Sequence, residues 1–299
     1  YDAAGPKIHA VVTLNEKALE LARALDAERA LSGPRSPLHG IPVVLKDLID
    51  AKGLPTSCGF IPFGLPLPPR SATVVQKLED AGAIILAKVT TVNWFGRGYD
   101  ETFYLEPTKN PYNLLYDCGA TSAGSGGALA ANFATIALGT DTSQSVQNPA
   151  GGTSKVGMVG TFGMVSRAGV MPRSSWHDRV GPMAKSVADV ATTFSVIAGW
   201  DAEDMTTSEA LGHHPREDWS AHLGQRDLTG VRLGVLSEMF YQDIPEHKEG
   251  LAVFNKAIDD LQAAGAFIVD PIQTGMDLKK YTTSEYLRLA EFEKIDQSN

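Results

Sequence analysis

The chain has 299 residues, of which 43% are hydrophobic and 20% charged, and its formal net charge is -9. That is enough apolar material for a substantial core, in one large domain or two small ones. The acidic balance argues against a surface that tracks nucleic acid or an anionic membrane, since such surfaces carry basic patches, and points to a small-molecule partner. Two cysteines, Cys58 and Cys118, are too few for a disulfide framework and lack the spacing of a zinc site, and no run approaches the ~18 to 20 apolar residues of a membrane-spanning helix.

Asn15 is placed to cap a helix over 16–31, where Leu19, Leu21, Ala22 and Leu25 form one apolar face and Ser32-Gly33-Pro34 ends the run. Ile41 to Leu45 is a continuous, β-branched apolar run of strand length, with Lys46 and Asp47 at its end. A helix over 71–81 stopped by Gly82, then a buried strand over 83–89, repeats the helix-strand rhythm of an α/β sheet. The stretch 123–134 is mostly Gly and Ala, which predicts a helix packed close to a neighbour. A short strand over 135–138 follows, and Gly139 opens a polar loop to Asn148.

Short extended pieces are expected at 163–165 and 169–171, and a helix over 185–198 ended by Gly199. Residues 201–227 lack a hydrophobic period and read as a surface excursion. Strand, helix and strand follow over 231–236, 251–264 and 266–269, and a final helix over 278–293.

Three segments can carry chemistry. Lys46 leaves a buried strand, and desolvation lowers a lysine pKa toward the range of a useful base; the plain alternative is a lysine reaching out to solvent. The tract Gly119 to Gly127 gathers small and hydroxyl residues but has neither a nucleotide-loop lysine nor a clean GxGxxG, so it reads as a tight helix start before it reads as a phosphate cradle. The loop Gly139-Thr140-Asp141-Thr142-Ser143-Gln144-Ser145 offers hydroxyls. A candidate lysine base, two hydroxyl-bearing loops and no well-placed histidine together suggest Ser-Lys chemistry over a Ser-His-Asp triad. His213-His214 with Glu217 lacks HExxH spacing, so no metal is expected there.

Gly40-Ile41-Pro42-Val43-Val44-Leu45-Lys46-Asp47, the tract 119–163 and Gly181-Pro182-Met183-Ala184-Lys185-Ser186-Val187-Ala188-Asp189 resemble, in order and spacing, three blocks of the amidase signature family. The resemblance covers most of residues 7–199. It implies an α/β fold with a mixed, largely parallel central sheet covered by helices on both faces, in a single domain over 1–299 that lacks the C-terminal stretch usual in the family. It implies hydrolysis of a carboxylic amide, at a linear non-peptide C–N bond, through a seryl acyl-enzyme. Ser145 would be the nucleophile, Lys46 the base, and Thr121 the bridging residue, held in the family by a cis peptide, with Ser122 as a neighbouring hydroxyl. Thr142, Ser143 and Gln144 would supply the oxyanion hole, Asp141 would support the loop, and His177 and Asp178 would lie near the substrate.

The chain departs from the family at Thr121, where a serine is usual, at Ser143-Gln144 in place of Gly-Gly, at Gln147 in place of arginine and at Val159-Gly160 in place of Lys-Pro. Non-glycine residues at 143 and 144 would be strained if the loop needs positive φ. Rival readings are a catalytically silent binding protein, amide transfer or ester cleavage at the same site, and a nucleotide-binding module. The expected partner is a small amide, with no cofactor, no metal, no nucleic acid and no membrane, and with homodimerisation open. A cytoplasmic location is expected, although the start at Tyr1 reads as a trimmed N-terminus and leaves secretion open.

Overall fold

The computed structural model describes residues 1–60, 64–91, 106–213, 218–221, 223–224, 226–237, 248–272 and 275. The chain divides into two compact units, Tyr1–Ala221 and His222–Asn299.

In the first unit the elements run β1 (Val11–Leu14), α1 (Ala18–Ser32), β2 (Pro42–Lys46), α2 (Thr73–Asp80), β3 (Ile84–Val89), β4 (Lys109–Asn110), β5 (Asn113–Asp117), α3 (Ala123–Ala130), β6 (Ile136–Asp141), α4 (Gln147–Gly152), β7 (Val156–Gly157), β8 (Arg179–Ala184) and α5 (Val187–Ile197), followed by a 3-10 turn at Met205–Ala210. Six strands form one sheet in the order β1-β3-β2-β6-β8-β7. Strands β3, β2 and β6 are parallel at its centre, and β1 and β8 pair antiparallel at either side.

Both faces of this sheet are covered, which is why β2 reads as an unbroken apolar run. Val43 and Leu45 pack into a cluster with Val74 and Leu78 of α2 and Phe194 and Ile197 of α5. Val44 faces the opposite cluster, with Ala137, Ala128, Leu129 and Ala150. The alternation within β2 therefore divides one strand between two cores and leaves Lys46, the last residue, at the sheet's C-terminal edge.

Helix ends follow local chemistry. Helix α2 stops in a Schellman turn: Gly82 has φ 87°, its N–H donates to Glu79 O, and Ala83 N donates to Leu78 O, each at 2.9 Å. Helix α3 ends at Ala130 and not at 134, because Asn132 takes the same left-handed position (φ 62°) and Phe133 N donates to Ala128 O at 2.9 Å. Ser186 caps α5 by accepting from Asp189 N at 3.1 Å. Asn15 does not cap α1; its Oδ1 accepts from Lys17 N at 3.1 Å and its amide donates to Ile85 O, tying the turn to β3.

Other expectations change as well. The polar loop begins later, since Gly139, Thr140 and Asp141 complete β6 at buried positions. Residues 163–165 and 169–171 make only isolated bridges, Val165 to Ala198 and Val170 to Ile49. The stretch from Asp201 is not a plain surface excursion: Asp201 accepts from Thr73 and Ser166, each at 2.6 Å, Thr207 and Ala210 are buried, and Trp219 stacks edge-on against Phe194 with centroids 5.1 Å apart.

The second unit places β9 (Arg232–Gly234) parallel to β10 (Phe267–Val269), joined by α6 (Lys248–Ala263). The helix expected over 278–293 lies outside the described residues. No helix among the described residues is long and apolar enough to cross a membrane.

Candidate active site

The small-residue tract is small because α3 starts against the backbone of the neighbouring strand. A Cβ on Gly124 would fall on the backbone of Thr90, and one on Gly139 would lie 2.8 Å from Ser122 Oγ. This close packing brings the residues just before α3, Thr121 and Ser122, to the C-terminal ends of β2 and β6.

Lys46 is fully buried, and its Nζ donates to Thr121 Oγ1 at 2.6 Å and to Thr140 Oγ1 at 2.7 Å. Burial pushes its pKa down to about 7, and the nearby Arg173 guanidinium pushes the same way; Asp178, Asp141 and Cys58 oppose the shift. A substantial fraction of the side chain is therefore neutral near pH 7, with a lone pair free to accept a proton. Ser145 is nearly buried, and its Oγ accepts from Thr121 N at 3.4 Å. Lys46, Thr121 and Ser145 thus meet, with Thr121 touching the lysine through its hydroxyl and the serine through its N–H.

The peptide bond into Thr121 is trans; among the described residues only Asp270–Pro271 is cis. This corrects the cis bond that the resemblance implies. The chain turns here through positive φ at Gly119 (79°) and Ala120 (31°), which carries the Thr121 hydroxyl to Nζ without a cis bond. Ser122 does not join the lysine and serine either: its buried hydroxyl donates to Thr140 O at 3.2 Å and serves as a backbone tie.

Asp141 is completely buried and organises the loop, its Oδ2 accepting from Val146 N at 2.8 Å and Gln147 N at 3.4 Å, on either side of the start of α4. Thr142 donates its hydroxyl to Asp178 Oδ1 at 2.6 Å, while Asp178 Oδ2 accepts from Arg173 N and Ser174 N. Neither Ser143 nor Gln144 has positive φ, so the loop accommodates them without the strain that replacing two glycines would bring. Both residues are exposed, and among the described residues nothing accepts from their N–H groups.

A cavity of about 320 Å³ opens beside this cluster. Thr121, Thr140, Thr142 and Asp178 form its reactive end, and Leu48, Val170, Met171 and Pro172 give it apolar walls. This position, beyond the carboxyl ends of parallel strands, is where open α/β sheets bind ligands. His177 does not line the cavity; its Nδ1 lies 2.9 Å from Ser174 Oγ.

Sequence reasoning misses Thr140, the second partner of Lys46, and a buried ion pair next to the base. Lys88 Nζ lies 3.1 Å from Asp47 Oδ1, with Thr56 Oγ1 accepting from Lys88 at 2.8 Å and Ser57 donating its hydroxyl to Asp47. Both charged side chains are at most 1% exposed. A lysine inside the otherwise apolar strand Ile84–Val89 is the available signal for this pair. Among the described residues no cluster of His, Cys, Asp and Glu is arranged to hold a metal ion, and His214 and Glu217 lie outside them.

Residues 1–296 match the family model described as Amidase. A glutamyl-tRNA(Gln) amidotransferase subunit from Methanosarcina acetivorans is 40% identical over 261 residues, 87% of this chain and 52% of that protein. Its counterpart of the same name from Geobacter metallireducens is 37% identical over 271 residues, 90% of this chain and 54% of that protein. Among solved structures, native peptide amidase from Stenotrophomonas maltophilia superposes with a TM-score of 0.78 at 35% identity, covering 91% of this chain and 55% of that one. An amidase family protein from Bacillus anthracis gives 0.80 at 35%, covering 91% and 54%. The chain spans about half the length of the curated relatives it matches.

Proposed function

The chain belongs to the amidase family, and from that premise we propose that it is part of one amidase domain that hydrolyses a carboxylic amide through a seryl acyl-enzyme. The observation that carries this reading is the fully buried Lys46, with its pKa lowered to about 7 and its Nζ 2.6 Å from the hydroxyl of Thr121, a residue whose backbone N–H donates to Ser145 Oγ.

In this mechanism neutral Lys46 accepts the Thr121 proton as Thr121 takes one from Ser145, and Ser145 Oγ attacks the amide carbonyl. The negative charge on the former carbonyl oxygen meets the N–H groups of the 142–145 loop, of which Ser143 and Gln144 have no other acceptor among the described residues. Collapse breaks the C–N bond, and the nitrogen leaves with the proton returned along the same path. Water then enters, gives a proton to Lys46 through Thr121 and attacks the acyl carbonyl; collapse breaks the C–Oγ bond, the proton returns from Lys46 through Thr121 to Ser145, and the carboxylic acid leaves. Asp141 keeps the serine at the head of the loop by holding Val146 and Gln147.

Amide transfer is a second reading, favoured by the name the amidotransferase relatives carry, and it would use the same acyl-enzyme with another acceptor in place of water. Release of ammonia from a panel of simple primary amides tests the main reading. Turnover that disappears in Ser145→Ala supports it; turnover unchanged in Ser145→Ala contradicts it.

A further inference from the structure

The charged groups on the cavity wall are unevenly committed. The Asp178 carboxylate accepts from Thr142, Arg173 N and Ser174 N. Asp204 is paired with Arg167 at 3.2 Å, and Glu203 with Arg70. Each carboxylate lining the cavity is thus already engaged. Arg167 is likewise occupied, donating to Asp204, Ser175 O and Thr206.

Arg179 differs. It is the first residue of β8, registered opposite Asp141, so the sheet itself places it at the edge where Lys46 and the nucleophile loop converge. Its side chain lines the cavity, and only its Nε is used, donating to His177 O at 3.2 Å. Among the described residues no group accepts from its two Nη nitrogens and no carboxylate pairs with it. A half-buried guanidinium with its outer nitrogens unspent, facing a cavity with apolar walls, is shaped for a planar anion held by two parallel hydrogen bonds.

We propose that Arg179 is a specificity-determining residue that binds a carboxylate on the substrate, so that the preferred substrates are amides bearing a second, free carboxylate, such as monoamides of short dicarboxylic acids. This rests on the amide-hydrolysis reading above and names its substrate class. The apolar residues Leu48, Val170 and Met171 would enclose the carbon chain between the two ends. Arg179 acts in binding and takes no part in proton transfer.

The test has two arms. In the first, kcat/KM is compared for succinamate and for its neutral methyl ester in the wild type, Arg179→Gln and Arg179→Lys. The wild type is expected to favour succinamate by about tenfold or more, the ratio to collapse through KM in Arg179→Gln, and Arg179→Lys to keep part of it. A wild type with no preference, or a preference that survives Arg179→Gln, overturns the proposal while leaving amide hydrolysis standing.

The second arm needs no turnover. Glutarate binding is measured by calorimetry on wild type and on each variant whose near-ultraviolet circular dichroism matches it. Binding weakened about tenfold or more in Arg179→Gln and partly kept in Arg179→Lys supports the anion site even in a protein that turns over no amide; equal binding in all three overturns it. Failure of both amides and of the wider amide panel to react, with glutarate binding still dependent on Arg179, would sink the hydrolysis reading and spare the anion site.

Discussion

Replacing Lys46 by methionine isolates the energetic consequence of burying the base. In the folded chain its pKa falls from 10.5 to about 7, chiefly through burial. The folded state therefore binds this proton more weakly than the unfolded chain does, and at pH 7 the lysine costs roughly 4 kcal/mol of stability by linkage. The sign follows directly: the cost is complete below the folded value of about 7 and disappears as pH rises through the unfolded value near 10.5. Methionine has no proton to lose, but it leaves the Thr121 and Thr140 hydroxyls without their amine partner, a loss of about 1–3 kcal/mol for each group left unsatisfied. The absolute stability of Lys46→Met is thus a balance, whereas its pH dependence is not. Urea unfolding of both proteins at pH 7, 8.5 and 10 should show the variant's stability relative to wild type falling by roughly 3 kcal/mol across that range. Parallel stability curves would refute the claim that Lys46 is a desolvated base.

The same pKa predicts that kcat/KM for any amide turned over rises with pH and levels off above about 7, dropping tenfold per pH unit on the acid side; a profile flat from pH 5 to 9 would contradict it. Thr121→Val keeps the shape of the bridging residue and removes its hydroxyl, so kcat should fall by about 100-fold or more while Thr121→Ser retains activity, measured by ammonia release. Lys88→Met leaves the buried Asp47 carboxylate without its cation and should destabilise the protein by about 3–5 kcal/mol in urea melts at pH 7; a loss below about 1 kcal/mol would mean that the pair is not closely coupled.

Much of this fold is legible in the sequence because single strands and helices announce it. The apolar run before Lys46, the Gly82 stop and the Gly/Ala tract of α3 each have a local cause that the structure bears out. What escapes depends on partners distant in sequence. Strand β8 carries Gly181 and Pro182, poor strand formers, yet it lies between β6 and β7; the glycine is needed there because a Cβ at 181 would fall on the Met158 carbonyl. Helix α4 contains Pro149 and two glycines, and it is nucleated by the Asp141 carboxylate holding Val146 and Gln147. Asn132 falls inside the helix expected over 123–134, although an asparagine ends helices in left-handed geometry almost as glycine does.

At the site, Lys46, Thr121 and Ser145 are identifiable through the family resemblance, and the structure brings them together. Thr140, by contrast, is one hydroxyl among several in a polar stretch, and only the parallel pairing of β2 with β6 sets it against Nζ. The Asp47–Lys88 pair joins residues 41 positions apart, at the end of β2 and on β3, a relation that no local pattern encodes.

The central claim is that Ser145 is a nucleophile activated by Lys46. Treating the protein with a serine-directed fluorophosphonate at pH 8 and mapping the adduct by mass spectrometry tests it most directly. Labelling at Ser145 that is lost in Lys46→Ala is the predicted result; an unlabelled Ser145 in folded protein, or labelling that persists unchanged without Lys46, would contradict it.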